Sequence, residues 1–269
     1  MSLVTLLTDF GTADYFVGAL KGAILSVNAR ARIVDLTHEI PAHDIRAGAF
    51  TLLAAYESFP RGTIHVAVVD PGVGSARRPL LVTTHRYFFV GPDNGLFSYV
   101  CEREQGVRVY QLTEEKFFRA PVSATFHGRD IFAPVAGALS NNVPPESFGE
   151  LIDTRARLDP LAPVRDEVGA ALSAAIIHID RFGNLVTNIT RRELAGEEFE
   201  QGAKLEIGGR EINSFRQFYA EGSGAGSGEL FAIWGSAGFL EVSCNGASAA
   251  QLLRVERGQP VRVAGLKMP

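Results

Sequence analysis

The sequence predicts an α/β protein in two parts: an N-terminal three-layer α/β domain built on a largely parallel sheet, then a C-terminal all-β barrel domain. Three observations carry this. Up to about residue 140, short apolar runs alternate with stretches long enough for helices; residues 141–170 break that rhythm with four prolines and mixed charge; beyond them the chain reads as strands and turns. The expected boundaries are 1–157 for the first domain, 158–171 for a linker and 172–269 for the second.

Taken in order, LVTLLT (3–8), RIVDL (32–36) and TIHVAVV (63–69) are short apolar runs, the first and last rich in Val, Ile and Leu as strands buried on both faces require. Between them, 14–28 and 44–59 are long enough for helices, and each opens on an aspartate able to cap or complement a first turn. LLVTT, YFFVG and VRVYQL predict further strands and GRDIFAPVAGALS (128–140) a further helix. In the second domain the strands are LSAAIIHID, LVTNIT, KLEIGGREI with Gly-Gly at a hairpin corner, LFAIWG, FLEVSCN and PVRVAG. AEGSGAGSGE (220–229) is the one low-complexity stretch, expected to be a mobile loop.

Composition narrows the function classes. With 269 residues and 46% hydrophobic content the chain can fill sizeable cores, and a net charge of −4 without a basic block argues against a nucleic-acid partner. No apolar run reaches the length of a membrane span, and the N-terminus lacks a basic leader, so a soluble, unexported protein is expected. Two distant cysteines, Cys101 and Cys244, fit a reducing cytoplasm better than a disulfide scaffold.

Four segments put polar groups where an α/β sheet offers its crevice, just beyond strand C-termini: TDFGTAD (8–14), DPGVGSARR (70–78), FHGRD (126–130) and HIDRFGNLVTN (178–188). Asp9 could accept hydrogen bonds from a ribose diol, or be an ordinary turn aspartate. Gly72-Val73-Gly74 lacks the ending of a phosphate loop and reads as a plain turn, but Asp70 and Arg77 on that turn can tune each other and orient a small polar reactant. His127 is a third group able to move a proton near neutral pH, against the alternative of a structural histidine. His65, Asp70, His85 and His127 lack metal-ligand spacing, so no metal site is expected. Asp180 and Asn184 lie at a bend, where Asn suits a purine edge or plain turn chemistry, and Ser236, Glu241 and Asn245 surround a short strand that reads as a hairpin.

TDFGTAD, DPGVGSARRPL, GPDNGLFS, FHGRDIFAP, IDRFGNLVTN and GSAGFLEVSCN, in this order over nearly the whole chain, resemble the S-adenosylmethionine (SAM) hydroxide adenosyltransferases, whose halide-using relatives are the fluorinases and chlorinases. The resemblance implies an N-terminal α/β domain, a C-terminal β-barrel, a homotrimer with sites between subunits, and hydrolysis of SAM to adenosine and methionine. It places the catalytic Asp–Arg–His set at Asp70, Arg77 and His127, with Arg78 adjacent and able to take the arginine's place by one residue. It puts the ribose-binding aspartate at Asp9, a position near the methionine end at Asp14, the adenine edge at Asn184, and nucleoside or amino-acid contacts at Ser236, Glu241 and Cys244. Asp180, Phe182 and Tyr219 are weaker matches. Where the halogenating relatives carry tyrosine or a similar residue, this chain has His127, which favours water over halide.

The implied chemistry fits these residue types. Attack on C5′ of a sulfonium expels a neutral thioether, so neither metal nor cofactor is expected; the difficulty is the nucleophile, because water has a pKa of about 15.7. Arg77 can hold developing hydroxide while Asp70 and His127 orient the water and take its proton, with the order of transfer open. The alternatives are a halogenase forming a 5′-halo nucleoside, and a non-catalytic adenosine or SAM sensor.

Overall fold

A computed structural model of the chain describes residues 3–166, 171–194, 202–221 and 228–266. The chain divides into two compact units, Met1–Asp159 and Pro160–Pro269.

Unit 1 is a seven-stranded sheet in the order β2-β1-β3-β5-β4-β6-β7, with β1 Leu3–Thr8, β2 Arg32–Thr37, β3 Ile64–Val68, β4 Pro79–Thr83, β5 Phe88–Pro92, β6 Arg108–Leu112 and β7 Gly149–Ile152. The pairs β1/β2, β1/β3 and β3/β5 are parallel, whereas β4 is antiparallel to both β5 and β6, and β7 to β6; five of the seven strands therefore point the same way. Helix α1 (Phe16–Val27) packs on α4 (Ala133–Ser140), and α2 (Ile45–Ala55) on α3 (Ser98–Arg103). The core explains the strands: β1 and β3 are buried almost throughout, and Val4, Leu6, Val66 and Val68 meet Leu20 and Ile24 of α1 and Val135 of α4. Each such fully buried Leu or Ile contributes about 1.5–3 kcal/mol relative to exposure. β2 is instead the edge strand and largely exposed, in keeping with its charged, shorter apolar run.

Two local expectations need correcting. Asp44 caps α2, its carboxylate accepting the Ala47 N–H at 2.9 Å, but α1 begins after Tyr15 and Asp14 caps nothing. The proline-rich 141–170 segment is not all connection: Gly149–Ile152 closes the sheet edge against β6. Its Gly-Glu-Leu-Ile sequence has two adjacent apolar residues in four, too short a run to display a strand period. Residues 167–170 of the expected linker lie outside the described residues.

Unit 2 is a nine-stranded sheet that curls into a half-barrel. Its order is β12-β11-β16-β9-β10-β15-β14-β13, with β8 paired to β9. The strands are β8 Val164–Arg165, β9 Leu172–Ile179, β10 Leu185–Thr190, β11 Lys204–Ile207, β12 Arg210–Ile212, β13 Phe215–Arg216, β14 Leu230–Trp234, β15 Phe239–Cys244 and β16 Pro260–Ala264. A short helix α5, Ala249–Leu253, interrupts the otherwise all-β texture, and Ala249 and Leu253 join the core with Leu185, Leu240 and Val263. Gly208 and Gly209 both take positive φ at the expected hairpin corner. Of the loop expected at 220–229, residues 222–227 lie outside the described residues.

Candidate active site

The strand order β2-β1-β3 places the chain's first crossovers on opposite sides of β1, which opens a crevice beyond the C-terminal ends of β1 and β3. Asp9 follows β1 and Asp70 follows β3, so the parallel register brings two carboxylates to one edge. Both line a cavity of about 290 Å³ together with His43, Phe126 and His127.

Arg77 reaches this edge by a doubled-back turn: the Val73 N–H donates to the Asp70 carbonyl and the Ser75 N–H to the Gly72 carbonyl. Gly74 is required at φ 77°, and a Cβ there would lie 2.2 Å from the Ala124 carbonyl oxygen, so the turn packs directly on the segment leading to His127. The Arg77 guanidinium grips Asp70 through two nitrogens, Nε to Oδ1 at 2.9 Å and Nη2 to Oδ2, and Nη2 also meets His127 Nδ1 at 2.8 Å. Both side chains of the Arg77–Asp70 pair are buried, 8% and 5% exposed. Arg77 Nη1 is buried with no partner among the described residues, a donor aimed at nothing the protein supplies.

That geometry also sets the state of His127. A guanidinium only donates, so Nδ1 accepts and the neutral ring carries its proton on Nε2. Burial and the Arg77 charge hold the imidazole below its ordinary value of 6.5, against the opposing pull of Asp70 and Asp130. His127 sits at the head of one π turn, Gly128–Phe132, that runs into α4. Asp130 on that turn is fully buried and serves structure: it accepts from Arg129 Nε at 2.7 Å and the Ser123 N–H at 2.9 Å.

The neighbouring arginine is occupied elsewhere. Arg78 Nε donates to Asp93 Oδ2 at 2.8 Å and Nη2 to the Thr154 carbonyl at 2.8 Å, so Arg77 is the one that joins Asp70 to His127. Asp9 is no helix cap; its Oδ2 accepts the backbone N–H of His43 at 2.8 Å, from a residue held at φ 66°. Asp14 is exposed and does not line the cavity. His65 lies apart, buried against Phe89 with Nδ1 2.7 Å from Thr5 Oγ1.

In unit 2 a second cavity, about 750 Å³, is lined by Asp180, Asn184, Tyr219, Ser236, Glu241 and Cys244 together, six positions from the β9–β10 hairpin, the β14–β15 hairpin and the β13–β14 connection. Exposed Phe182 lies on its rim. Asp180 organises the β9–β10 bend, accepting the N–H groups of Phe182 and Asn184 at Oδ1 and the Asn184 amide at Oδ2, 2.8 Å. Glu241 folds over Gly235, where a Cβ would lie 1.8 Å from its Oε1. Burial pushes its carboxyl up and Asp180 adds to the shift, while the Tyr219 hydroxyl, donating at 3.3 Å, opposes it.

Sequence reasoning missed four contributors. The His43 N–H is a backbone group with no side-chain signature. Phe10 and Phe16 converge on Phe126 only through the fold. Asn94 carried a signal in GPDNG: its Nδ2 donates to the Val69 carbonyl at 2.8 Å, bracing the residue before Asp70.

No group of three or more His, Cys, Asp or Glu side chains among the described residues is placed to hold a metal ion, and no helix among them is long and apolar enough to cross a membrane.

Comparisons with known proteins give the family. Residues 4–149 match the family model of the SAM hydroxide adenosyltransferase N-terminal domain, and residues 174–262 that of the C-terminal domain. The chain is similar to an (R)-S-adenosyl-L-methionine hydrolase of Thermus thermophilus, 38% identical over 98% of this chain and 100% of the relative. A protein of the same name from Methanocaldococcus jannaschii is 36% identical over 95% and 93%. A fluorinase of Actinopolyspora mzabensis is more distant, at 24% identity over 97% and 96%. An uncharacterized conserved protein from Thermotoga maritima has a solved structure that superposes with a TM-score of 0.88 and 33% identity, covering 97% of this chain and 99% of the other.

Proposed function

This chain belongs to the SAM hydroxide adenosyltransferase family, and from that premise we propose how Asp70, Arg77 and His127 carry out its reaction, the hydrolysis of S-adenosylmethionine to adenosine and methionine. The observation that carries the proposal is the single guanidinium spanning Asp70 and His127, two residues that line one cavity together with Asp9.

Water attacks C5′, the C5′–S bond breaks with its electron pair going to sulfur, and methionine leaves as a neutral thioether. One proton is released, because a sulfonium and water become two molecules with no charge at those centres. Free hydroxide is unnecessary: as the C–O bond forms, the attacking oxygen takes on oxonium character and its proton becomes strongly acidic, so a weak base suffices late in the step. His127 in the Nε2–H tautomer is a donor that fixes the water, not the group that deprotonates it. Asp70 is then the acceptor, each oxygen retaining lone-pair capacity beyond its bond to Arg77. Arg77 Nη1, buried with no partner among the described residues, supplies a further donor able to hold the water oxygen before attack. Asp9, steadied by the His43 N–H, anchors the ribose diol and so the line of attack.

Asn184, Ser236, Glu241, Cys244, Asp180 and Tyr219 take the nucleoside and amino-acid portions in this reading, supported by their shared cavity. Asp14, exposed, acts at the methionine end. No metal or cofactor takes part. The curated relatives are named for the (R) form of the substrate; since L describes the α-carbon and adenosyl the ribose, the descriptor specifies the sulfonium, and this chain is assigned the same epimer. A homotrimer with sites at subunit interfaces and a cytoplasmic location complete the proposal, the latter supported by two cysteines that are both unpaired.

The test is incubation with SAM in halide-free buffer containing a chelator. Equal amounts of adenosine and methionine are expected, and Asp70→Ala or Arg77→Ala should nearly abolish their release while substrate still binds. Turnover unaffected by both substitutions would overturn the assignment.

A further inference from the structure

Three phenylalanines line the cavity that holds Asp9, Asp70 and His127. Phe10 comes from the loop after β1, Phe16 from the start of α1 and Phe126 from the residue before His127. Their ring centroids are 5.8, 5.9 and 5.3 Å apart, at interplanar angles of 55°, 77° and 89°. Rings at such angles meet edge to face or tilted rather than as stacks. Phe10 and Phe16 are only partly buried, so the wall leaves aromatic surface toward the cavity.

The charge around that wall is unevenly paired: Arg77 holds Asp70, and the Arg129 guanidinium lies over the Phe126 ring, 5.1 Å from its centroid, whereas Asp9 accepts the His43 N–H and has no cationic partner among the described residues. The lining includes the carboxylates of Asp9 and Asp70 but no lysine or arginine, and burial disfavours the charged form of His127. Phe10 and Phe16 beside the Asp9 carboxylate, with no cation over either ring among the described residues, make a receptor for an onium ion. Resting on the hydrolase reading above, we infer that Phe10 and Phe16 bind the sulfonium of the substrate by cation–π attraction, distinguishing it from the neutral thioether that lacks the charge.

This binding has a kinetic signature. The sulfonium charge is full in the bound substrate, partly lost in the transition state and gone from the product. Attraction to that charge therefore stabilises the ground state at least as much as the transition state: it lowers KM, contributes nothing to kcat, and lets go of methionine once the C5′–S bond is broken.

The test replaces Phe16, and separately Phe10, with mono-, di- and trifluorinated phenylalanine, which keeps the ring's shape while draining its face of negative potential. KM for SAM should rise stepwise, about three- to tenfold across the series, with kcat unchanged or slightly higher and the inhibition constant of S-adenosylhomocysteine flat. A flat KM, or an inhibition constant that rises in step with KM, would overturn the inference, since the rings would then act by packing alone. Failure of the underlying reading is distinct: the unsubstituted protein would release no adenosine, and calorimetric SAM binding would still read the same series.

Discussion

Exchanging Asp70 and Arg77 for neutral residues of similar shape, singly and together, separates what this ion pair does for the fold from what it does for catalysis. The two side chains are 5% and 8% exposed and joined through two nitrogens. Arg77→Met therefore strands a buried carboxylate and Asp70→Asn a buried guanidinium, each costing about 3–5 kcal/mol, whereas the double substitution leaves no uncompensated charge and should fold within about 1 kcal/mol of the parent or better. For a unit of this size, about 2–4 °C per kcal/mol, the single variants should lose about 6–20 °C in Tm. Activity should not follow stability. Every variant, the double one included, should lose at least about 100-fold in kcat, since each lacks the guanidinium donor, the proton acceptor or both. Thermal unfolding followed by circular dichroism, with chromatography of adenosine release, reads both quantities. A double variant as unstable as the singles, or one that recovers turnover with its stability, would refute the reasoning.

Because burial and Arg77 depress His127, the acid limb of kcat/KM should fall below the ordinary imidazole value of 6.5, and His127→Gln should remove that limb; a limb at or above that value would contradict the assignment. The same shift acts on stability: below 6.5 the unfolded chain binds more protons than the folded one, so the His127 contribution is complete above that pH and is lost as pH falls toward the depressed folded value, which denaturant titrations at several pH values would reveal. Gly74→Ala places a Cβ 2.2 Å from the Ala124 carbonyl at φ 77°, and should cost about 1–2 kcal/mol from backbone conformation alone and uncouple Arg77 from His127, read as a drop in kcat larger than the rise in KM. Light scattering should give three times the chain mass of 29.0 kDa; a monomer with full activity would rule out interface sites.

The strands and helices that carry their own periodicity were legible. Residues 185–190 and 3–8 form strands with the boundaries read from the sequence, and the Gly-Gly corner at 208–209 turns as its composition requires. β7 was not, because four residues at an exposed edge have no pattern to display. The antiparallel insertion of β4 between β5 and β6 was equally hidden, since partner choice is set by the whole sheet. At the site, Asp70 and His127 could be singled out by residue type, but Arg77 and Arg78 were indistinguishable until Asp93 and Thr154 claimed the second of them. The gathering of Asp180, Asn184, Tyr219, Ser236, Glu241 and Cys244 around one cavity was carried by family resemblance; local spacing showed only ordinary hairpins. The aromatic wall had no local signal at all, because Phe126 is more than a hundred residues from its partners in the chain.

Hydrolysis in water enriched with oxygen-18, with mass spectrometry of both products, asks where the nucleophile lands. Attack by water on C5′ predicts one heavy oxygen in adenosine, at the 5′ hydroxyl, none in methionine, and one proton released per turnover. Label in the amino-acid product, or adenosine formed without it, would contradict a site in which Asp70, Arg77 and His127 hold a water molecule against the ribose.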